Sequence, residues 1–235
     1  MTENAPTAAR LDRLVRPFFE QDGIVIYNAD CREVMTCVEF DVFITDPPYG
    51  ITGTTGGPNS RNHIKGNYES SFADTQEYVA TVCGDVIRQG IERATKRRGA
   101  VTCGRTNMWH YPPARDVGAF VSPRAVGVSY WGRPTWQPIL FYGNAANAGE
   151  QLKPLHRLMM NAAPKNGHPC PKPIEAWRWL VGKASREDET ILDPFMGSGT
   201  TLVAAKLDGR RAVGIEIEER YCEIAANRLR QQVLF

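Results

Sequence analysis

The sequence predicts an α/β fold built around a mostly parallel β-sheet. Short apolar runs rich in β-branched and aromatic residues alternate along the chain with segments whose apolar residues recur at helical spacing. Strands that alternate with helices form βαβ units, in which helices cover both faces of a parallel sheet. The seven predicted strands span residues 24–27, 41–45, 100–103, 126–131, 138–142, 190–192 and 212–216.

Helices are predicted between these strands. Apolar side chains recur three or four positions apart in each of them, which indicates one face packed on the sheet. The predicted helices span residues 72–97, 174–183, 200–207 and 218–229, with a short one around 155–160. Two stretches lack periodicity: 50–67, rich in Gly, Thr and Asn, and 144–173, which contains five prolines. Long loops in compact domains are often functional, although a plain surface loop is the alternative for 50–67.

The composition is that of one globular domain. The chain has 235 residues, 42% hydrophobic and 23% charged, with a net charge of +2. This balance excludes a histone-like basic tail but leaves room for a basic patch that binds nucleic acid. We expect no signal peptide, membrane span or metal site, because no long apolar run and no paired cysteines occur. A cytoplasmic protein with reduced thiols, in a bacterial or phage-infected cell, is therefore expected.

The first motif is Asp46-Pro47-Pro48-Tyr49, which follows the strand predicted at 41–45. Ligands of open α/β sheets bind beyond the carboxyl ends of the strands, so Asp46 should face a crevice. Two prolines stiffen the turn and remove two N–H donors. Such a turn can hold an amino-bearing base, with Asp46 and the Pro47 carbonyl accepting from the amine while Tyr49 stacks on the ring. A stiff strand exit with a capping aspartate is the alternative.

The second motif is the segment 193–201, DPFMGSGTT, which connects a predicted strand to a predicted helix. Gly197 and Gly199 allow a sharp turn and a close approach of the backbone to a ligand. Glu216 ends the next strand, where an acidic side chain suits the hydroxyls of a ribose. A phosphate-binding loop would need a lysine in place of Thr200, and a dinucleotide motif would need a third glycine. A nucleoside without a pyrophosphate fits better, and a merely tight turn is the alternative.

Together these motifs resemble those of the DNA amino-methyltransferases, which use S-adenosylmethionine to methylate exocyclic amino groups. DPPY resembles the catalytic motif of that family and DPFMGSGTT its cofactor loop. The segment 168–173, HPCPKP, is similar to the family's H-P-T-x-K-P, with Cys170 in place of threonine or serine. The segment 214–229 looks like the ribose-binding strand and its helix, and 28–46 fits the family's opening, with Asp30 as the acid near the adenine. DPPY precedes the cofactor loop, as in the β class.

The resemblance implies a Rossmann-like class I methyltransferase fold, circularly permuted, with a seven-stranded sheet in which one strand is antiparallel. It implies S-adenosylmethionine as cofactor, double-stranded DNA as partner and a role in restriction-modification. By family pattern, DPPY favours N-6 of a flipped adenine, and cytosine N-4 stays open. A catalytically idle DNA-binding protein is the alternative from another class. The expected catalytic residues are Asp46, Pro47, Pro48 and Tyr49, and the expected cofactor-binding residues are Asp30, Asp46, His168, Lys172, Asp193, Phe195, Gly197, Ser198, Gly199, Thr200 and Glu216.

We expect a single domain, 1–235, with a catalytic half (24–143), a short target-recognition segment (144–167) and a cofactor half (168–230). The middle segment is too short for an independent domain, so the recognised site should be short or loose. Relatives in the β class are frequently homodimers, so we expect that a second subunit contributes to recognition of the site. Phosphate contacts are expected from basic residues near the crevice. These are Arg61, His63, Lys65, Arg105 and Arg133, whereas Trp109 and Trp136 are expected to be core or wall residues.

Overall fold

The computed structural model describes residues 16–50, 74–122, 132–147, 149, 153–159 and 172–231. Nine strands form a single mixed sheet. They are β1 (Phe19–Gln21), β2 (Ile24–Asn28), β3 (Val42–Thr45), β4 (Arg98–Thr102), β5 (Asp116–Val121), β6 (Trp136–Tyr142), β7 (His156–Leu158), β8 (Thr190–Asp193) and β9 (Arg211–Glu216). Their order across the sheet is β1-β2-β9-β8-β3-β4-β6-β5-β7.

The centre of the sheet is parallel. The adjacent strands β2, β9, β8, β3 and β4 all run in one direction. The antiparallel strand β6 lies between β4 and β5, and β5 returns to the common direction. All carboxyl ends of the parallel strands therefore meet at one edge, which is where an α/β sheet binds its ligands.

The sheet has nine strands where seven were expected. Seven of them form a continuous run, from β2 to β5, with β6 as the antiparallel member. Three strands of the described residues were not predicted: β5 and the two three-residue strands at the opposite edges, β1 and β7. Strands this short contain too few alternations for a period of two to be recognised, so the sequence does not predict them.

Helices cover both faces of this sheet. Helix α1 spans Cys31–Val34, and α2 (Gln76–Tyr78) continues through a π-helical turn (Val79–Cys83) into α3 (Gly84–Arg93). The remaining helices are a 3-10 turn (Met108–His110), α4 (Ile174–Ala184), α5 (Thr200–Leu207) and α6 (Glu219–Arg230). One core packs α4, α5 and α6 on one face of the sheet, and the other packs α1, the π-helical turn and α3 on the opposite face.

Strand β3 contributes side chains to both hydrophobic cores. All four of its residues are buried, because the strand lies at the centre of the sheet with helices on either side. Val42 and Ile44 belong to the core under α4 to α6, whereas Phe43 belongs to the opposite core. Alternate side chains of a strand point to opposite faces, so a strand covered on both sides is apolar throughout.

Six of the predicted strands are confirmed, with ends shifted by one or two residues, and the strand predicted at 126–131 lies outside the described residues. The short helix expected around 155–160 is wrong: residues 156–158 form β7, which pairs with β5. Gly118 permits this pairing, because a Cβ there would lie 2.1 Å from the carbonyl oxygen of Leu155. Within the described ranges, no helix is long and apolar enough to cross a bilayer.

Candidate active site

A cavity of about 290 Å³ opens at the carboxyl edge of the sheet. Its walls come from the segments that follow β2, β3, β8 and β9, four strands whose ends lie side by side. The DPPY segment and the DPFMGSGTT segment both line it, although they are far apart in the chain. The parallel sheet therefore brings the two sequence motifs into one cavity.

Asp46 sits directly beyond β3 and is held by three side chains. Its Oδ1 accepts hydrogen bonds from the hydroxyls of Thr102 and Tyr49. Its Oδ2 lies 2.5 Å from the ammonium nitrogen of Lys172. Thr102 ends β4, the strand beside β3, so the sheet itself places this hydroxyl next to the carboxylate. Both oxygens are therefore engaged, and the carboxylate is fixed in orientation.

Tyr49 is anchored through its hydroxyl group. This hydroxyl donates to Asp46 and accepts from the side-chain amide of Gln137 and from Lys172, whose nitrogen is 2.8 Å away. Burial, and next the charge of Asp46, raise the pKa of Tyr49 well above its ordinary value. The Tyr49 carbonyl accepts from the Asn107 amide at 2.5 Å, which fixes the backbone of the tetrapeptide as well.

Lys172 lies against the catalytic motif. Besides its contact with Asp46, its ammonium nitrogen is 4.8 Å from the centroid of the Tyr49 ring and 5.5 Å from that of Trp177. A cation over an aromatic face is attracted by the ring quadrupole. The resemblance suggested Lys172 for the cofactor, whereas in the structure its ammonium group contacts Asp46, Tyr49 and the Trp177 ring.

Asp193 ends β8 and is fully enclosed. Its carboxylate accepts from the Thr45 hydroxyl at 2.6 Å and from the Phe195 backbone N–H at 3.1 Å. Burial raises its pKa from 3.8 to about 6, although hydrogen bonds from Thr201 and Thr45 oppose the shift. This carboxylate therefore shapes the start of the glycine-bearing turn and is not exposed to solvent.

The turn itself depends on two glycines with left-handed backbones. Gly197 has φ of 51° and Gly199 has φ of 75°, a region that side chains with a Cβ disfavour. A Cβ on Gly199 would also lie 2.7 Å from that of Ala225 on α6. Arg228 donates to the carbonyl of Ser198 at 2.5 Å and to the hydroxyl of Thr200 at 3.2 Å. Helix α6 therefore stabilises the glycine-containing turn through Ala225 and Arg228.

Glu216 ends β9 and faces the cavity beside this turn. Its carboxylate accepts from the backbone N–H of Gly197 at 3.1 Å and from that of Glu218 at 2.9 Å. Burial raises its pKa from 4.5 to about 7, against the lowering effect of those two hydrogen bonds. The cavity is therefore lined by an acidic side chain that is largely shielded from water.

Asp30 completes the cofactor side of the cavity. It caps α1, accepting from the Arg32 backbone N–H at 2.9 Å, and pairs with the Arg32 guanidinium at 2.5 Å. Phe195 also lines the cavity. Asp30, Glu216 and Asp46 follow β2, β9 and β3, so they lie along the cavity in the order of those strands.

The remaining expected site residues divide into three groups. Pro47, Pro48, Ser198 and Thr200 line the cavity. Arg105 lies outside it, where its guanidinium donates to the Trp136 carbonyl at 3.4 Å, and Arg133 is exposed just before β6. His168, Arg61, His63 and Lys65 lie outside the described residues.

Three residues of the site were not predicted from sequence: Thr102, Asn107 and Gln137. Thr102 ends β4, and only the pairing of β4 with β3 makes it a neighbour of Asp46. Gln137 enters from the antiparallel strand β6, whose start lies at the same edge as the other strands' ends. Asn107 lies in an irregular segment, and neither residue has a local sequence signal.

The cavity fits a nucleoside-bearing cofactor on physical grounds. The left-handed glycines keep the turn free of Cβ atoms, and Glu216 offers a carboxylate beside it. Asp30 and Phe195 supply an acceptor and an aromatic ring for a base. In the part of the chain that the structure describes, no three acidic, histidine or cysteine side chains are grouped as metal ligands.

Solved structures share this architecture. The PvuII DNA methyltransferase, described as cytosine-N4-specific, aligns with a TM-score of 0.68 at 12% identity, covering 93% of this chain and 90% of that one. The M1.HpyAVI–SAM complex aligns with a TM-score of 0.64 at 21% identity, covering 88% and 100% respectively. The fold is therefore that of the class I methyltransferases.

Sequence comparison narrows this class to a family. A family model described as DNA methylase, of the N6/N4 methyltransferases, matches residues 105–227, slightly more than half of the chain. The chain is 24% identical over 250 residues to the type II methyltransferase M2.LlaDCHI of Lactococcus lactis subsp. cremoris, covering 92% of this chain and 93% of the relative. It is 25% identical over 252 residues to M2.DpnII of Streptococcus pneumoniae, with the same coverage. The chain belongs to the DNA methylase family of N6/N4 amino-methyltransferases, whose cofactor is S-adenosylmethionine.

Proposed function

We propose that this protein transfers a methyl group to the N-6 amino group of an adenine flipped out of duplex DNA. The observation that carries the proposal is the shared cavity, which holds Asp46 and Tyr49 at one end and Glu216 with Asp30 at the other. A base in a duplex has its amino group paired, so the base must leave the stack before it can reach Asp46.

The cofactor side would be held by residues already described. Glu216 would accept hydrogen bonds from the ribose hydroxyls, and Phe195 and Asp30 would flank the adenine ring. The glycines of the turn would let the backbone approach the rest of the molecule. When bound there, S-adenosylmethionine supplies an electrophilic methyl group on a sulfonium centre.

The catalytic residues would bind and orient the target amine. Asp46 Oδ2 and the Pro47 carbonyl would accept its two hydrogens, which directs the nitrogen lone pair at the methyl carbon. As the N–C bond forms, the C–S bond breaks and its electron pair stays on sulfur; the amine then loses one proton to Asp46 or water. Most of the acceleration would come from positioning, since two reactants are held in contact.

Lys172 has a defined part in this scheme. It now occupies Oδ2 of Asp46, the same oxygen that the amine would use. The entering base must therefore displace the ammonium group, whose position over the Tyr49 ring also overlaps the surface on which a base would stack. We propose that Lys172 holds the carboxylate in its orientation until the base arrives.

Adenine is favoured over cytosine by family pattern, because this chain carries DPPY and not SPPY. We also propose the circular permutation, supported by β3 preceding β8 in the chain while lying beside it in the sheet. The segment 144–167 is proposed for target recognition, with β7 as its described strand. A homodimer and phosphate contacts from Arg105 and Arg133 complete the proposal.

The deciding experiment uses labelled S-adenosylmethionine and unmethylated genomic DNA. After digestion to deoxynucleosides, mass spectrometry should identify N6-methyl-2′-deoxyadenosine as the labelled product. Recovery of N4-methyl-2′-deoxycytidine would replace adenine by cytosine as the target. Asp46→Ala should abolish transfer while leaving cofactor affinity within about threefold, and normal turnover by that variant would refute the assignment of Asp46.

A further inference from the structure

Trp109 is an unusually exposed side chain in a firmly held segment. Its indole is 79% exposed, the largest exposure among the large hydrophobic residues of the described ranges. Large aromatic side chains rarely stay in water without a function, because burying one is worth more than burying any other residue. The sequence suggested a core or wall role for Trp109, and the structure contradicts that expectation.

The segment that carries Trp109 is anchored on both sides. Met108 packs on the core under α3, and Tyr111 is almost fully buried. The Tyr142 hydroxyl donates to the Pro112 carbonyl at 2.9 Å. Gly84 on α3 lies so close that a Cβ there would be 2.9 Å from the His110 carbonyl oxygen. Trp109 therefore projects from a rigid turn and is not the tip of a long loop.

The same segment touches the catalytic motif. Asn107, two residues before Trp109, donates to the Tyr49 carbonyl at 2.5 Å. Gly104 lies against Tyr49 as well, since a Cβ on it would be 3.2 Å from the same oxygen. Trp109 thus lies in the same short segment as the residue that fixes the backbone of the catalytic tetrapeptide.

The surroundings of Trp109 suit a polyanion. Arg105 connects this segment to β6 by donating to the Trp136 carbonyl, and Trp136 is itself 40% exposed. Arg133 is exposed beside it. The segments 104–115 and 132–137 contain no Asp or Glu. Basic and aromatic side chains in segments free of acidic residues are what a nucleic-acid surface needs.

We infer that Trp109 enters the DNA stack at the place that the target base has left, an inference that rests on the proposed function. Flipping a base breaks its stacking and pairing, and an apolar side chain inserted between base steps compensates part of that loss. A rigid indole beside the catalytic tetrapeptide is placed to do this. The occupant of this surface is therefore duplex DNA.

The test compares Trp109→Ala, the conservative Trp109→Phe and the control Phe18→Ala. Phe18 is also exposed, at 37%, but lies next to β1 at the far edge of the sheet. The substrates are a duplex that contains the unmethylated target site and the same duplex with the target base opposite an abasic site, where the base pair is already lost. Trp109→Ala should reduce kcat/KM about tenfold on the first and less than twofold on the second.

The kcat/KM of Trp109→Phe should stay within about threefold of the wild-type value on both substrates. The kcat/KM of Phe18→Ala should equal that of the wild type. Equal losses of Trp109→Ala on the two duplexes, or no loss on either, would overturn the inference. A shift of Trp109→Ala from dimer to monomer in sedimentation would overturn it too, since the surface would then bind a second chain.

A binding measurement separates this inference from the proposed function. Tryptophan emission should be quenched on adding duplex DNA to the wild type, and the quench should shrink in Trp109→Phe. If the wild type transfers no methyl group, the proposed function fails, while the quench still decides whether Trp109 enters DNA. An undiminished quench in Trp109→Phe refutes the insertion.

Discussion

Replacing Glu216 by glutamine should make folding stability less sensitive to alkaline pH while weakening the cofactor. Burial raises the pKa of Glu216 from 4.5 to about 7 in the folded protein. A carboxyl group whose pKa is higher in the folded state stabilises the fold fully below pH 4.5, and that contribution is lost as the pH rises through 7. Glutamine does not titrate, so the variant should lack this loss.

The magnitude follows from the two pKa values. Proton linkage between pH 5 and pH 8 gives a fall of about 2.5 kcal/mol in the free energy of unfolding of the wild type from Glu216 alone. Glu216 is partly exposed, and solvent screening lowers the expected difference to about 1–2.5 kcal/mol. Burial also raises the pKa of Asp193 to about 6, and Asp193 contributes equally to the pH dependence of stability in the wild type and in Glu216→Gln.

The assay is urea unfolding of the cofactor-free proteins at pH 5 and pH 8. Glu219→Gln serves as the control, because it removes an exposed carboxylate from the first turn of α6 nearby. The wild type and Glu219→Gln should lose the same free energy between the two pH values, and Glu216→Gln should lose less. Equal losses in all three proteins would refute the assignment of a buried, protonated carboxyl group.

The same variant should bind S-adenosylmethionine at least tenfold more weakly at pH 8, measured by calorimetry. A hydrogen bond to a charged group contributes about 1.5–3 kcal/mol, and an amide replaces only part of it. If Glu216→Gln is more stable than the wild type at pH 8 and also binds S-adenosylmethionine more weakly, Glu216 is a binding residue whose charge destabilises the fold. Unchanged affinity would remove it from the cofactor site.

Two further substitutions test other parts of the site. Lys172→Met should lower turnover at least tenfold while changing cofactor affinity less than threefold, because the Lys172 ammonium group contacts Asp46 and Tyr49. Lys172→Arg should restore part of the activity. A larger effect on cofactor affinity than on turnover would contradict this prediction. Gly199→Ala should destabilise the fold by about 2–4 kcal/mol in urea, from a left-handed backbone plus the close Ala225 contact. The control Gly209→Ala, also left-handed but with no atom within 4 Å, should lose only about 1 kcal/mol, and equal losses would contradict the steric argument.

The parts of the fold that sequence predicts well are those with a strong local signal. Strand β3 is apolar throughout because both of its faces are buried, and α5 begins where a glycine turn ends. Strands β5 and β7 were not predicted from the sequence, because their formation depends on the strands with which they pair. All of β7 is exposed, so it shows no alternation, and the alternate burial of β5 begins only at Gly118, a residue without a side chain.

The same distinction holds for the site. Asp46, Asp193 and Glu216 are identifiable because each follows an apolar strand and carries a charge at a position where ligands bind. The partners of Asp46 are not identifiable in the same way. Thr102 and Lys172 reach it from other segments of the chain, and only the strand order makes them its neighbours.

By itself, the sequence determined the α/β class, the resemblance to DNA amino-methyltransferases and the carboxylates and glycines of the two motifs. These follow from local chemistry, since backbone angles, strand burial and charge depend on residues that adjoin one another in the chain. The tertiary structure alone decided that Lys172 pairs with the Asp46 carboxylate, that Gln137 holds the Tyr49 hydroxyl and that the Trp109 side chain is exposed. Those contacts join residues distant in sequence, and their distances are set by the order in which the strands pack.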